Sequence, residues 1–99
     1  MHLTKDGHLL VSHDADFKRL CGLDKKVCDT NLKDVPKRFS NDIPNFFGCD
    51  YYTLKPGDKC EFTSLEQVFK ALPKEQMIVV DIKDANKMQS CYAMRKLIN

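Results

Sequence analysis

The dipeptide Asp6-Gly7 constrains this chain more than any other feature. It lies between Leu3-Thr4-Lys5 and the apolar, branched run His8-Leu9-Leu10-Val11-Ser12. Asp and Gly best tolerate the positive φ that both central positions of a type I′ turn need, so the stretch predicts a two-residue hairpin turn with a return strand over 8–12. That strand delivers His13-Asp14 at its end, where pairing stops and a loop begins. A His there suits acid/base work, because imidazole titrates near physiological pH. It equally suits an ordinary surface residue, and this stretch alone favours the surface reading.

A chain of 99 residues makes one small domain with a modest core. With 42% apolar and 30% charged residues it has the balance of a soluble globular chain. A net charge of +2, dispersed along the sequence, argues against a nucleic-acid partner. No apolar run approaches a membrane span, and no signal-peptide pattern opens the chain. The five cysteines (Cys21, Cys28, Cys49, Cys60 and Cys91) include no CxxC pair. They indicate neither a zinc ribbon nor a disulfide framework, and free thiols fit a reducing compartment. The expected location is cytoplasmic, or membrane-associated facing such a compartment.

Met1 and His2 open directly onto a strand, which suggests a piece of something longer. Residues 15–22 read as a loop or short helical turn ending in Gly22. A second short turn, 31–35, is expected to be capped by Asp29 or Thr30 and stopped by Pro36. Residues 37–62 show no period and carry Pro44, Pro56, Gly48 and Gly57 among Phe39, Phe46, Phe47, Tyr51 and Tyr52. They read as a long loop whose aromatics are expected to pack on the body of the protein, the alternatives being a ligand groove or a lipid contact. Thr63 and Glu66 fit a capping box, with Leu65, Val68, Phe69 and Leu72 forming one helical face and Pro73 ending the helix. The run Met77 to Ile82 predicts a strand buried on both faces, as in parallel sheets. The segment 84–98 predicts a helix with Met88, Cys91, Tyr92 and the Arg95 stem on one side and Met94, Leu97 and Ile98 beside them. Helix–strand–helix order argues for an α/β fold.

Alternation along the later strand sets Val79, Asp81 and Lys83 on one face and Ile78, Val80 and Ile82 on the other. Asp81 is thus a carboxylate at the C-terminal end of an apolar strand, where parallel α/β folds bind ligands. Two readings stand evenly. Asp81 pairs structurally with Lys83 or a backbone amide, or it is a metal ligand beside a phosphate-binding lysine. Asp84 reads as a helix cap.

These pieces together resemble the glycerophosphodiester phosphodiesterase family. Leu3-Thr4-Lys5-Asp6-Gly7 with Val11-Ser12-His13-Asp14 carries the resemblance first. Phe17-Lys18-Arg19 with Gly22 is similar to the family's "lkRxtG" segment. Val27, Asp29, Thr30 and Leu32 resemble "v.d.tl". Ser64-Leu65-Glu66-Gln67-Val68 resembles the "tLeEv" helix start. Val80-Asp81-Ile82-Lys83 resembles a strand that reads "IEIK" or "IDIK". The resemblance runs from about Leu3 to Lys83 and leaves 37–62 unmatched, as a long insertion loop.

The resemblance implies a TIM (β/α)8 barrel that hydrolyses glycerophosphodiesters, or lysophospholipids in the manner of a lysophospholipase D, to a phosphomonoester and an alcohol. It implies a divalent cation, Ca²⁺ or Mg²⁺, and two histidines as acid and base. His13 matches the second of these as the catalytic residue. Asp81 matches a metal-ligand carboxylate, and Lys83 the lysine that faces the substrate phosphate. The family's His-Arg-Gly motif is not in this chain. Neither is the Glu-x-Asp pair that normally lies just ahead of the position of Met1. A TIM barrel needs about 250 residues, so 1–99 is expected to be a partial domain: the end of the second strand with its hairpin, then helix, third strand and helix. It would lack the first strand and the later units, leave the barrel unclosed, and be inactive alone. The parent would act on a small-molecule or lysolipid phosphodiester, with membrane association of the parent open. The alternatives are a non-catalytic lipid- or protein-binding module on the same fold, and an unrelated small interaction domain.

Overall fold

β1 (His2–Leu3) and β2 (Leu9–Leu10) form the antiparallel hairpin that the sequence predicts, with His2 opposite Leu10 and Leu3 opposite Leu9. The computed structural model describes residues 1–39 and 60–98, and the backbone alone at 43–44 and 51–52. The hairpin turn differs from expectation. The Thr4 amide donates to the His8 carbonyl at 2.8 Å and the Gly7 amide to the Thr4 carbonyl at 3.0 Å. Gly7 has φ 84°, and among the described residues none but glycine has positive φ. The loop is therefore three residues closed by a left-handed glycine, not a type I′ turn. Asp6 stays out of the left-handed region, and its carboxylate is used elsewhere. Its Oδ1 accepts from Thr4 Oγ1 at 2.7 Å and from the Leu32 amide at 3.0 Å.

That second bond corrects another expectation. The short 3₁₀ turn Leu32–Asp34 has no cap from its own flank; the orphan amide is satisfied by Asp6, 26 positions earlier. The Lys5 amide also donates to the Thr30 carbonyl at 2.9 Å, so the hairpin tip is stapled to this segment twice.

After β2 the chain forms β3 (Asp16–Phe17), a helical turn α1 (Lys18–Cys21) and β4 (Leu23–Lys26), with β3 and β4 antiparallel. Gly22 ends α1 in the left-handed region, φ 67°, donating to the Lys18 carbonyl. Within 37–62, β5 (Ile43–Pro44) pairs with β6 (Tyr51–Tyr52). Phe39 packs as predicted: its ring meets Phe62 edge-on at 4.7 Å, and Phe62 meets buried Phe17 at 5.3 Å. Phe46 and Phe47, with the side chains of Tyr51 and Tyr52, lie outside the described residues.

α2 (Leu65–Ala71) starts one residue later than predicted. Ser64, not Thr63, is the cap: Ser64 Oγ accepts from the Gln67 amide at 3.2 Å while Gln67 Oε1 accepts from the Ser64 amide at 2.9 Å. Gln67 fits the box because Ser64, held in the bridge to Leu10, sets the last extended residue. Leu65 is fully buried, with Val68 and Phe69 against the same cluster, but Leu72 is 38% exposed at the helix end.

The run 77–82 is extended but belongs to no assigned strand, and it is not buried on both faces. Met77 and Val79 are 83% and 90% exposed, while Ile78, Val80 and Ile82 are half-buried. The predicted alternation is correct; the covering of the second face is not, because only one side meets the core. One edge does carry a parallel rung. The Met1 amino group donates to the Asp81 carbonyl at 2.8 Å and the Lys83 amide to the Met1 carbonyl at 3.1 Å, on either side of Ile82.

α3 (Lys87–Ile98) begins three residues later than predicted, behind an Asn86 side chain that accepts from the Gln89 amide at 3.2 Å. Its inward face also differs. Ser90 is fully buried and Ala93, Met94 and Leu97 pack on the core, while Met88, Cys91, Tyr92 and Arg95 lie outside. The stripe 90, 93, 94, 97 is an unbroken i, i+3, i+4, i+7 row. It outcompetes the larger residues because small Ser90 and Ala93 let the helix approach closely.

The hairpin is the wall between two apolar clusters. Adjacent strand residues face opposite ways, so Leu3 and Leu9 pack with Leu65 on one side and Leu10 packs with Phe17, Val27 and Val35 on the other. Each sheet of the described residues has two strands, and no barrel is closed.

Candidate active site

β2 does not stop at its ladder. Leu10 bridges Ser64, and the Val11 amide donates to the Thr63 carbonyl at 2.8 Å. The strand is thereby held extended up to Ser12, whose Oγ donates to the Asp14 carbonyl at 2.7 Å. The backbone under His13-Asp14 is fixed from both sides, although the His13 side chain is 62% exposed.

His13 Nδ1 lies 2.9 Å from Asp14 Oδ1. Arg19, on α1, donates from Nε to Asp14 Oδ2 at 2.7 Å and from Nη2 to Oδ1 at 3.3 Å. The Arg19 hydrogen bonds hold the Asp14 carboxyl below the usual carboxylate range, with a smaller contribution from His13; partial burial opposes both. An ionised Asp14 only accepts hydrogen bonds, so Nδ1 carries the hydrogen in the neutral ring. Nε2 then bears the lone pair and points away from Asp14. The ionised carboxylate thereby fixes the tautomer of the neutral ring.

Asp81 and Lys83 are brought together. Lys83 Nζ lies 3.1 Å from Asp81 Oδ2, with the Asp81 side chain 72% exposed. The hydrogen bond from Lys83 lowers the Asp81 pKa. Both project from the uncovered face of the extended run, on the side predicted from alternation.

Two further residues link this run to the His13 end. Asp84, read from sequence as a helix cap, is buried and accepts from the Leu3 amide at 2.9 Å through Oδ2 and from the Asn86 amide at 2.7 Å through Oδ1. Its Oδ2 also lies 3.9 Å from Nδ1 of buried His2. His2 Nε2 meets the His13 carbonyl at 3.0 Å. Sequence reasoning missed the roles of Arg19, His2 and Asp84. The available signals were the five-residue step from Asp14 across one turn to Arg19, and the placing of His2 opposite Leu10.

A cavity of 460 Å³ lies between the hairpin tip and α3, lined by Leu3, Asp6, His8, Glu66, Tyr92 and Lys96 among others. Neither His13, Asp81 nor Lys83 lines it. For a divalent cation the fit is poor. Among the described residues no three His, Cys, Asp or Glu side chains converge, and no buried polar side-chain atom lacks a partner. A hard cation of this kind takes about six oxygen ligands, and Asp81 supplies one carboxylate that is already paired. Among the described residues Cys28, Cys60 and Cys91 are free thiols, and no helix is long and apolar enough to cross a membrane.

Comparison with known proteins bears on the whole chain. The model of the glycerophosphoryl diester phosphodiesterase family matches residues 1–99. The chain is 36% identical over 93 residues to lysophospholipase D GDPD1 of Rattus norvegicus, covering 88% of this chain and 26% of that protein. It is 34% identical over 88 residues to lysophospholipase D GDPD1 of Mus musculus, covering 88% and 26%. Lysophospholipase D GDPD3 of Mus musculus is 29% identical over 85 residues, covering 86% and 24%. The chain thus spans about a quarter of the length of these relatives. No solved structure matches it significantly. Members of the matching family are TIM barrels and are generally divalent-cation dependent; the described residues of this chain form a small α/β assembly without a closed barrel. The match along the full chain, together with a histidine oriented at the end of the hairpin strand, places this protein in the glycerophosphoryl diester phosphodiesterase family.

Proposed function

We propose that this chain carries part of the catalytic end of an enzyme that hydrolyses a phosphodiester of glycerol, or a lysophospholipid, to a phosphomonoester and an alcohol. The observation that carries the reading is the Arg19–Asp14–His13 row, which holds Nε2 of an exposed imidazole ready to move a proton. A phosphodiester has a poor alkoxide leaving group. A histidine that protonates the departing oxygen avoids releasing it as a free alkoxide, typically worth ~10²–10⁴-fold. As the imidazolium, held by Asp14, His13 gives its Nε2 proton to the departing oxygen while the P–O bond breaks, and the neutral ring, in the tautomer set by Asp14, regains a proton from water.

Lys83 is the substrate-binding residue of this proposal. Its ammonium lies on the same face as Asp81 and exchanges that carboxylate for a phosphate oxygen. Asp81 is proposed as one carboxylate of the cation site. The remaining ligands have to come from outside the described residues. A second reading, a module that binds lipid or protein without chemistry, draws on the exposed Asp81–Lys83 pair and the lack of a cation cluster among the described residues.

The test is hydrolysis of glycerophosphocholine and lysophosphatidylcholine by the longest natural protein containing this sequence, with and without chelator, against its His13→Ala variant. Chelator-sensitive turnover, reduced at least 10²-fold in His13→Ala with unchanged thermal unfolding, is expected for the enzyme. Turnover by His13→Ala at the parent rate removes His13 from the mechanism. No turnover by the parent, with cation supplied, favours the binding module.

A further inference from the structure

We infer that His2 is a positioning residue for His13, acting through a backbone carbonyl and not through the substrate. The inference rests on the acid/base reading of His13.

The geometry is specific. His2 is buried, on the hairpin face it shares with Leu10. Its ring is spent on two contacts. Nε2 lies 3.0 Å from the His13 carbonyl oxygen, which only accepts, so Nε2 carries the hydrogen and donates it. Nδ1 faces Asp84 Oδ2 at 3.9 Å, and that carboxylate is itself fixed by the Leu3 and Asn86 amides. The ring therefore spans from the start of the segment that follows Lys83 to the peptide that carries His13.

Anchoring the His13 carbonyl fixes the plane of the 13–14 peptide. Together with the Ser12 Oγ bond to the Asp14 carbonyl, it leaves the His13-Asp14 backbone little room to rotate. An exposed imidazole gains precision from its backbone and from Asp14. Loss of the His2 donor frees that peptide, and the ring samples orientations in which Nε2 misses the leaving oxygen. Displacements of about 1 Å at a reacting group cost up to ~10²-fold in rate.

The experiment compares His2→Gln and His2→Asn in the full-length protein. Gln carries its amide nitrogen at the reach of imidazole Nε2; Asn is one methylene too short. His2→Asn is expected to lower kcat about 10-fold with KM changed less than about twofold, and His2→Gln to recover most of that loss. On the Asp14→Asn background the effect of His2→Asn is expected to shrink, because the ring orientation it protects is already lost. Where His2→Asn gives no folded protein, His2→Leu, which keeps comparable bulk but has no donor for the His13 carbonyl, is read for the same selective fall in kcat.

Equal losses in His2→Gln and His2→Asn, or a wild-type kcat in both, overturn the positioning role. If His13→Ala is inactive while both His2 variants match wild type, only this inference fails. If His13→Ala retains full turnover, the acid/base reading fails and the positioning role with it.

Discussion

Replacing Asp14 by Asn tests the oriented histidine most directly. The substitution keeps the shape of the side chain and exchanges one acceptor oxygen for an NH₂ group. Arg19 donates through both Nε and Nη2, so it demands an acceptor and takes the one oxygen left on the amide. The NH₂ group then faces His13 Nδ1, the atom 2.9 Å from the original carboxylate. Two donors do not pair, so the ring gives up its Nδ1 hydrogen and moves it to Nε2. The base is then in the wrong tautomer.

The magnitude follows from exposure. A hydrogen bond to a charged group contributes about 1.5–3 kcal/mol when sheltered. The His13 ring is 62% exposed, so water competes for Nδ1 and roughly half of that survives, about 1–1.5 kcal/mol. At 1.36 kcal/mol per tenfold, kcat falls about 10-fold. A buried triad carboxylate changed in the same way costs about 10⁴-fold, and the exposed ring is the reason for expecting far less here. The assay is steady-state hydrolysis of glycerophosphocholine by the full-length protein, with kcat and KM separated and folding checked by thermal unfolding. A kcat within twofold of wild type refutes the claim that Asp14 sets the tautomer. A fall as deep as that of His13→Ala refutes the claim that solvent weakens the pair.

Asp14 also predicts a pH response. Its folded pKa lies below the unfolded value of about 3.9, so its stabilisation is complete above that pH and is lost as pH falls through the folded value. Between pH 5 and pH 3 wild type should lose more melting temperature than Asp14→Asn; equal losses would dissociate the Arg19–Asp14 pair from stability. Phe17→Ala empties the centre of the cluster of Leu10, Val27 and Val35 and removes the edge contact to Phe62, which should cost about 3–5 kcal/mol by chemical denaturation. A cost under about 1 kcal/mol would mean that Phe17 is not central to that cluster. Asp6→Ala removes the acceptor of both Thr4 Oγ1 and the Leu32 amide and should cost about 1–2 kcal/mol, with faster hydrogen exchange at Leu32. Unchanged exchange at Leu32 would show that the hairpin does not cap that turn.

Short-range features of the sequence determined much of this protein. Asp6-Gly7 between apolar arms specifies a reversal, because few residues tolerate left-handed backbone and Gly7 takes it here. Gly22 and Pro36 stop their turns for equally local reasons. Alternation from Ile78 to Lys83 put Asp81 and Lys83 on one face, since side-chain direction along extended backbone depends on nothing else. The family motifs, from Thr4-Lys5-Asp6-Gly7 to Asp81-Ile82-Lys83, were likewise readable.

What tertiary structure alone decided is who partners whom. Asp6 caps a turn 26 residues away, and Ser64 displaces Thr63 as a helix cap because it is held against Leu10. α3 turns its small residues inward because close approach to the core outweighs the bulk of Met88 and Tyr92. The candidate site shows the same division. His13 stood out as a residue type at the end of a strand, but Arg19, His2 and Asp84 acquire their roles only when the folded chain sets their polar atoms within bonding distance. Backbone preference is a property of neighbours in sequence. Hydrogen-bond partnership and burial depend on distances that exist only after folding.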